Sequence, residues 1–241
     1  MNAPWHLGMM CAFDTETTSA DPEAARLVTA CIAWIDGSGN TPPASRDWLV
    51  DPGWDIPEQA TAIHGITTAH ARENGTPTVT ALPEITGELT RAASALAPVI
   101  AYNAPYDLTV LDRETRRHGM TAFGAELDAA KATVVDPFVL DKALDPYRKG
   151  SRKLTDVAAH YGVKAGEAHT AAGDAVTAAR IAWKIAAAYP HVGRMSLTEL
   201  HAFQVKAKAQ QARSFQDYLR RTGSAEVVDG SWPLRAWAEA A

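Results

Sequence analysis

The chain predicts an α/β fold, a mixed sheet covered by helices, and two observations carry that expectation. Three strand-like runs follow one another across short turns near the start, which implies an antiparallel meander rather than a βαβ unit. Short apolar runs then alternate with helical patterns, which adds strands and covering helices to the meander.

The first strand is Leu7 to Phe13, a run without any charge that ends in the acidic pair Asp14 and Glu16. Leu27 to Ile35 ("LVTACIAWI") is the second, closed by the turn signal "DGSGN", and the third lies around Arg46 to Val50, ended by "DPG". The period then changes. "PEQATAIHGI" and "TTAHAREN" predict short helices, and Thr80 to Leu96 a longer one. Val99 to Tyr102 is the fourth strand; it opens into "NAPYD" and a helix from about Leu108 to His118. Thr133 to Asp136 is the fifth, with Pro137 starting a helical turn, and "KLTDVAAHYGV" gives a small helix. Thr170 to Tyr189 is an Ala-rich helix stopped by Pro190 and Gly193.

Beyond this alternating region, Ser196 to Arg221 places Leu197, Leu200, Phe203 and Ala207 at helical spacing. With no repeat and no low-complexity linker, the expected organisation is a domain over 1–190 and a packed helical extension over 191–241. The final "GSAEVVDGSWPLRAW" is expected to add a short strand or a clamp.

Bulk properties narrow the function. In 241 residues, 46% are hydrophobic, enough for a full-sized core. A net charge of −5 excludes a protein that coats duplex nucleic acid by bulk attraction, while leaving room for a local basic groove. Cys11 and Cys31 sit in apolar runs, as buried thiols of a reducing compartment would. No secretory signal opens the chain and no apolar stretch approaches the roughly 18 residues of a membrane span, so a soluble cytoplasmic protein without a membrane partner is expected.

The chemistry gathers where strands end. Asp14 and Glu16 share a face, because residues i and i+2 of a strand point the same way. Asp107 lies five residues after "VIAY", and Asp174 lies in the first turns of the Ala-rich helix, five residues after His169. Ionised carboxylates at the end of a buried strand need compensating charge, and two hard cations about 3.5–4 Å apart need several carboxylate oxygens.

The pattern "FDTETT … YNAPYD … HTAAGD" resembles the three motifs of the DnaQ-like DEDDh exonucleases, the family of polymerase proofreading subunits, over roughly residues 7–190. The resemblance implies an RNase H-like fold, a five-stranded mixed sheet in this chain. It implies Asp14, Glu16, Asp107 and Asp174 as ligands of two Mg²⁺ ions, with Mn²⁺ as a substitute. It also implies His169 as the general base, on a loop that closes over substrate. Position 170 is Thr rather than the Tyr of the sister branch, so the His branch is the match. The implied reaction releases nucleoside 5′-monophosphates from the 3′ end of DNA, single-stranded or frayed.

The same resemblance places Thr15, Thr17 and Asn103 on the substrate, and "IHGIT" nominates His64 beside the terminal nucleotide. Where the family often has glycine, this chain has Ser19. The run "YRKGSRK" offers Arg148, Lys149, Arg152 and Lys153 as a flexible basic loop that could track phosphates. Expected partners are 3′ ends of single-stranded nucleic acid, DNA ahead of RNA, together with a polymerase or another replication or repair protein. Two alternatives stay open: an exoribonuclease with the same residue set, and a non-catalytic module on a nuclease fold. "QARSF" (Gln211 to Phe215) faintly resembles a clamp-binding peptide but lacks its central aliphatic residue, and is read as helix surface.

Overall fold

A computed structural model describes residues 3–166 and 169–237. After a 3-10 turn at Trp5–Leu7 come β1 (Met9–Thr17), β2 (Leu27–Asp36), β3 (Ala44–Asp51), α1 (Glu58–His64), α2 (Thr68–Asn74), β4 (Thr76–Pro77) and α3 (Thr78–Ser94). Next are β5 (Val99–Ile100), α4 (Pro105–Arg117), α5 (Phe123–Ala130), β6 (Val134–Val135) and α6 (Pro137–Leu144). The chain continues through α7 (Leu154–His160), α8 (Ala171–Ala188), α9 (Pro190–Gly193) and α10 (Leu197–Arg221).

The described residues form one mixed sheet in the order β4-β3-β2-β1-β5-β6, six strands where five were expected. The added member is β4, two residues that pair in parallel with the end of β3. Thr76–Pro77 is too short to carry any periodicity of its own. The meander β1–β2–β3 is antiparallel, and β5 and β6 extend it in parallel beyond β1. The first strand runs four residues past Phe13, so Asp14 and Glu16 lie inside the ladder, opposite Cys31 and Thr29.

Strand parity then assigns the faces. Cys11 and Phe13 enter the core formed with α3 and α4, where Leu82, Leu89 and Leu108 are fully buried. Met10 and Ala12 face the other core, against Ala175, Ala178, Ala179 and Ala182 of α8. These small side chains let the helix lie close on the central strand. Cys11 and Cys31 are buried free thiols, as expected, and burial pushes the Cys11 thiol up to about 12. Among the described residues no helix is long and apolar enough to cross a membrane.

Residues beyond 190 enter both cores: Leu200 packs on the α8 side, and Ala207 and Trp232 on the other. Ser196 opens α10 with a capping box to Glu199, which satisfies its first amides. Gln204, fully buried, donates from Nε2 to the Val134 carbonyl and accepts at Oε1 from the Asp136 amide. The tail after α10 acts as a clamp, with no strand among its described residues. Arg113 reaches the carbonyls of Arg235 and Ala236, and the Arg235 amide donates to Thr109 Oγ1.

Candidate active site

The parity of β1 continues past Phe13 and divides the motif. Asp14 and Glu16 stay on the α8 side, while Thr15 and Thr17 turn toward α4. Thr170 caps α8 by accepting from the Gly173 amide, which fixes the first turn and with it Asp174. Carboxylate oxygens of Asp14, Glu16 and Asp174 consequently lie within 4.8 Å of one another. Asp107, 3% exposed in the first turn of α4, adjoins this group. Its Oδ1 accepts from both the amide and the hydroxyl of Thr15, at 3.1 and 2.6 Å. Thr15 thus anchors the second motif to the first.

Such a concentration of acid is reflected in proton affinity. Burial, followed by Asp107, Asp174 and Glu16, raises the Asp14 pKa well above the carboxylate range. Burial and then Asp174 push Glu16 up to about 7. Burial also pushes Asp107 up to about 7, although Thr15 works against it. Asp174 is raised too, chiefly by burial. All four carboxyls are thus held above their ordinary values. Oxygen-only donors, several of them ionisable and clustered this closely, fit a hard divalent ion.

His169 is exposed, with a left-handed backbone (φ 61°), and its amide donates to Asp174 Oδ2 at 3.3 Å. The positive φ costs a non-glycine residue free energy, so this turn is held by its surroundings, Asp174 among them. Glu16, His64 and His169 line one cleft of about 260 Å³. His64 accepts at Nδ1 from the Ile66 amide, so its neutral ring carries the proton on Nε2. Burial lowers the pKa of the ring, against a backbone hydrogen bond with Thr17 that raises it.

Two residues of this region escaped sequence reasoning. Tyr106, next to Asp107, shares hydrogen bonds through its hydroxyl with Thr17 Oγ1 and the Ser19 carbonyl. Asp136 is fully buried and holds the amides of Asn103 and Ala104 at 2.9 and 3.0 Å while capping α6. It thereby stabilises the left-handed turn of Asn103 (φ 60°) that leads into α4. The signal for Asp136 was local: an aspartate followed by proline is a helix cap. Nothing local marked Tyr106.

The basic loop divides in two. Arg148 and Arg152 both reach the carboxylate of Asp141, which is fully buried, and Arg152 also bonds the Asp145 and Arg148 carbonyls. Two of the four expected cations are therefore spent inside the fold, and Lys149 and Lys153 are the exposed pair. A buried carboxylate at position 141 needs these guanidinium partners, a demand invisible from the loop alone. Asp141→Ala should cost about 3–5 kcal/mol of stability by stranding the two guanidinium groups. Urea unfolding measures this, and a loss below about 1 kcal/mol would free the two arginines for substrate.

A central strand ending in clustered carboxylates, between helices that each add another acid, is the frame of a nuclease. The RNase_T family model, described as "Exonuclease", matches residues 11–182. The chain belongs to this exonuclease family, on its DnaQ-like side. The DNA polymerase III subunit epsilon-like protein of Rhodobacter capsulatus is 32% identical over 124 residues, which cover 51% of this chain and 17% of that one. Uncharacterized exonuclease CP81 of Escherichia phage 186 is 33% identical over 166 residues, covering 67% and 79%. E. coli exonuclease I in complex with a dA16 oligonucleotide matches with a TM-score of 0.65 at 19% identity, covering 77% of this chain and 42% of that one. With a dT13 oligonucleotide the values are 0.59 and 18%, at the same coverage. This chain thus spans less than half of exonuclease I and a small part of the Rhodobacter protein.

Proposed function

We propose that this nuclease removes nucleotides one at a time from the 3′ end of DNA, single-stranded or frayed, using two divalent ions and His169 as general base. The observation that carries this reading is the carboxylate cluster within 4.8 Å, sharing an edge with the cleft that holds His64 and His169. Asp14, Glu16 and Asp174, joined by Asp107, are the residues that would hold Mg²⁺ or Mn²⁺. When bound, the ions supply an acidified water and charge compensation for the leaving oxygen.

The chain's own groups carry the rest. His169 takes one proton from the attacking water as its oxygen bonds to phosphorus. The bond from phosphorus to the 3′ oxygen of the preceding nucleotide breaks, releasing a nucleoside 5′-monophosphate and a strand shortened by one. Asp174 orients the His169 backbone through the amide bond already described, a positioning role. Thr17 and His64 border the place where a terminal nucleotide would sit, and Asn103 edges the approach from α4. Lys149 and Lys153 remain available to phosphates farther along the strand. The dA16 and dT13 complexes of exonuclease I support single-stranded DNA as the substrate class. A polymerase partner is supported by the name of the Rhodobacter relative.

A linear 5′-labelled strand and its covalently closed circle test the reading. Mononucleotides should accumulate from the linear form while the circle survives. Rapid nicking of the circle by the purified protein would eliminate an exonuclease that requires a 3′ end.

A further inference from the structure

We propose that the face between α6 and α10 is a track for the single strand that trails behind the terminal nucleotide. Bases stack there on Phe215 and Tyr218, and phosphates meet Lys142 and Lys206. The inference rests on the nuclease reading above and extends it to α10, which lies outside the family-matched residues 11–182.

The groove between these helices encloses about 600 Å³ and is lined by Lys142, Phe203, Lys206, Gln210, Phe215 and Tyr218, with no carboxylate in its wall. In a chain of net charge −5, this groove carries two lysines and no acid. Phe215 and Tyr218 are 48% and 53% exposed, and their rings lie within 12° of parallel. The buried stripe of α10 runs through Leu200, Gln204, Ala207, Ala212 and Leu219, so helix packing does not account for either ring. Gln211 donates to the Val139 carbonyl of α6 and fixes the helix beneath them. Exposed aromatic faces interleaved with lysines suit a single strand, because every base offers a π-face and every phosphate a charge.

Continuity with the active site adds to this. Phe215 also borders a second groove of about 350 Å³, which reaches Asn103 and Tyr106. The Tyr106 hydroxyl in turn meets Thr17, next to Glu16. In this proposal a strand with its 3′ end at the carboxylates passes Tyr106 and Asn103 on its way to Phe215. In the connecting groove Lys208 and Arg235 are offset by Glu226 and Asp229, so that stretch passes the strand on without gripping it.

Two paired variants test the track: Phe215→Leu with Tyr218→Leu, which keeps apolar surface but removes the stacking faces, and Lys142→Gln with Lys206→Gln. Binding of fluorescein-labelled dT20 is read by anisotropy in EDTA, so that nothing is cleaved. The leucine pair should bind about five- to tenfold more weakly. The glutamine pair should flatten the slope of log affinity against log salt by about 1.4, from two fewer phosphate contacts. Hydrolysis of a trinucleotide with Mg²⁺ should stay within about twofold of wild type in both, since so short a strand ends before the track. Wild-type affinity and salt slope in both pairs would overturn the proposal. So would unchanged dT20 binding accompanied by loss of a concentration-dependent dimer in sedimentation, which would give the groove to a second copy of the chain. If wild type binds dT20 and the pairs bind it less, yet no protein cleaves DNA with Mg²⁺ or Mn²⁺, the track stands and the nuclease reading falls.

Discussion

Asp14→Asn and Asp174→Asn should each abolish nearly all DNA hydrolysis while leaving the metal-free protein as stable as wild type, or more so. Each substitution removes a carboxylate from a cluster whose members lie within 4.8 Å. It also removes a like charge that the other carboxylates resist. The pH dependence follows from the raised proton affinities. A carboxyl that is more basic folded than unfolded contributes stability that is fully present below its unfolded pKa, about 4, and lost as pH rises through its folded value. For Glu16 and Asp107 that folded value is about 7. Metal-free wild type should therefore weaken between about pH 4 and pH 7, and Asp14→Asn should weaken less. Thermal unfolding in EDTA near pH 5 and pH 8 reads the difference, with the gap in favour of the variant widening at the higher pH. Near-wild-type cleavage by either variant would sink the metal-ligand assignment.

His169→Ala should lower single-turnover hydrolysis by about a hundred- to ten-thousandfold, the usual worth of a positioned general base. His169→Gln should fall similarly, because an amide can hold a water but cannot take its proton. The side chain is exposed, so neither substitution opens a cavity and unfolding temperatures should stay close to wild type. Binding of dT20 in EDTA should persist. A residue that merely shaped the turn before α8 would give the reverse pattern, with lower stability and an unaltered rate per folded molecule. That outcome would remove His169 from the mechanism.

Much of the site was legible because its geometry is written in local spacing. Two acids at i and i+2 of a strand must share a face, and an acid in the first turn of a helix must sit at that helix's start. The structure keeps both relations for Asp14 with Glu16 and for Asp174. What spacing could not reveal were the partners chosen across the fold. Tyr106 earns its place through Thr17 and Ser19, nearly ninety residues away. Arg148 and Arg152 looked free because Asp141 reads, in sequence, as one more polar residue on a helix. The length of β1 was underestimated for a related reason. Charged residues argue for a strand's end, yet here they pair within the ladder while their side chains reach a polar site. The two-residue β4 and the short α5 carry too little periodicity to be recognised without their neighbours.

The buried amide of Gln204 has a consequence for how this molecule can be cut and joined. By donating to Val134 and accepting from Asp136, it does for β6 part of what a seventh strand would do, covering that edge of the sheet. The match to the family stops at residue 182, twenty-two positions short of that glutamine. The matched segment and the segment that covers the β6 edge are consequently different pieces. A recombination event that carried residues 11–182 alone into another gene would transplant the clustered carboxylates together with an uncovered margin, ready to pair with any extended chain it met. Grafts that keep α10 should behave as autonomous modules, and those that drop it should need a new host helix in its place.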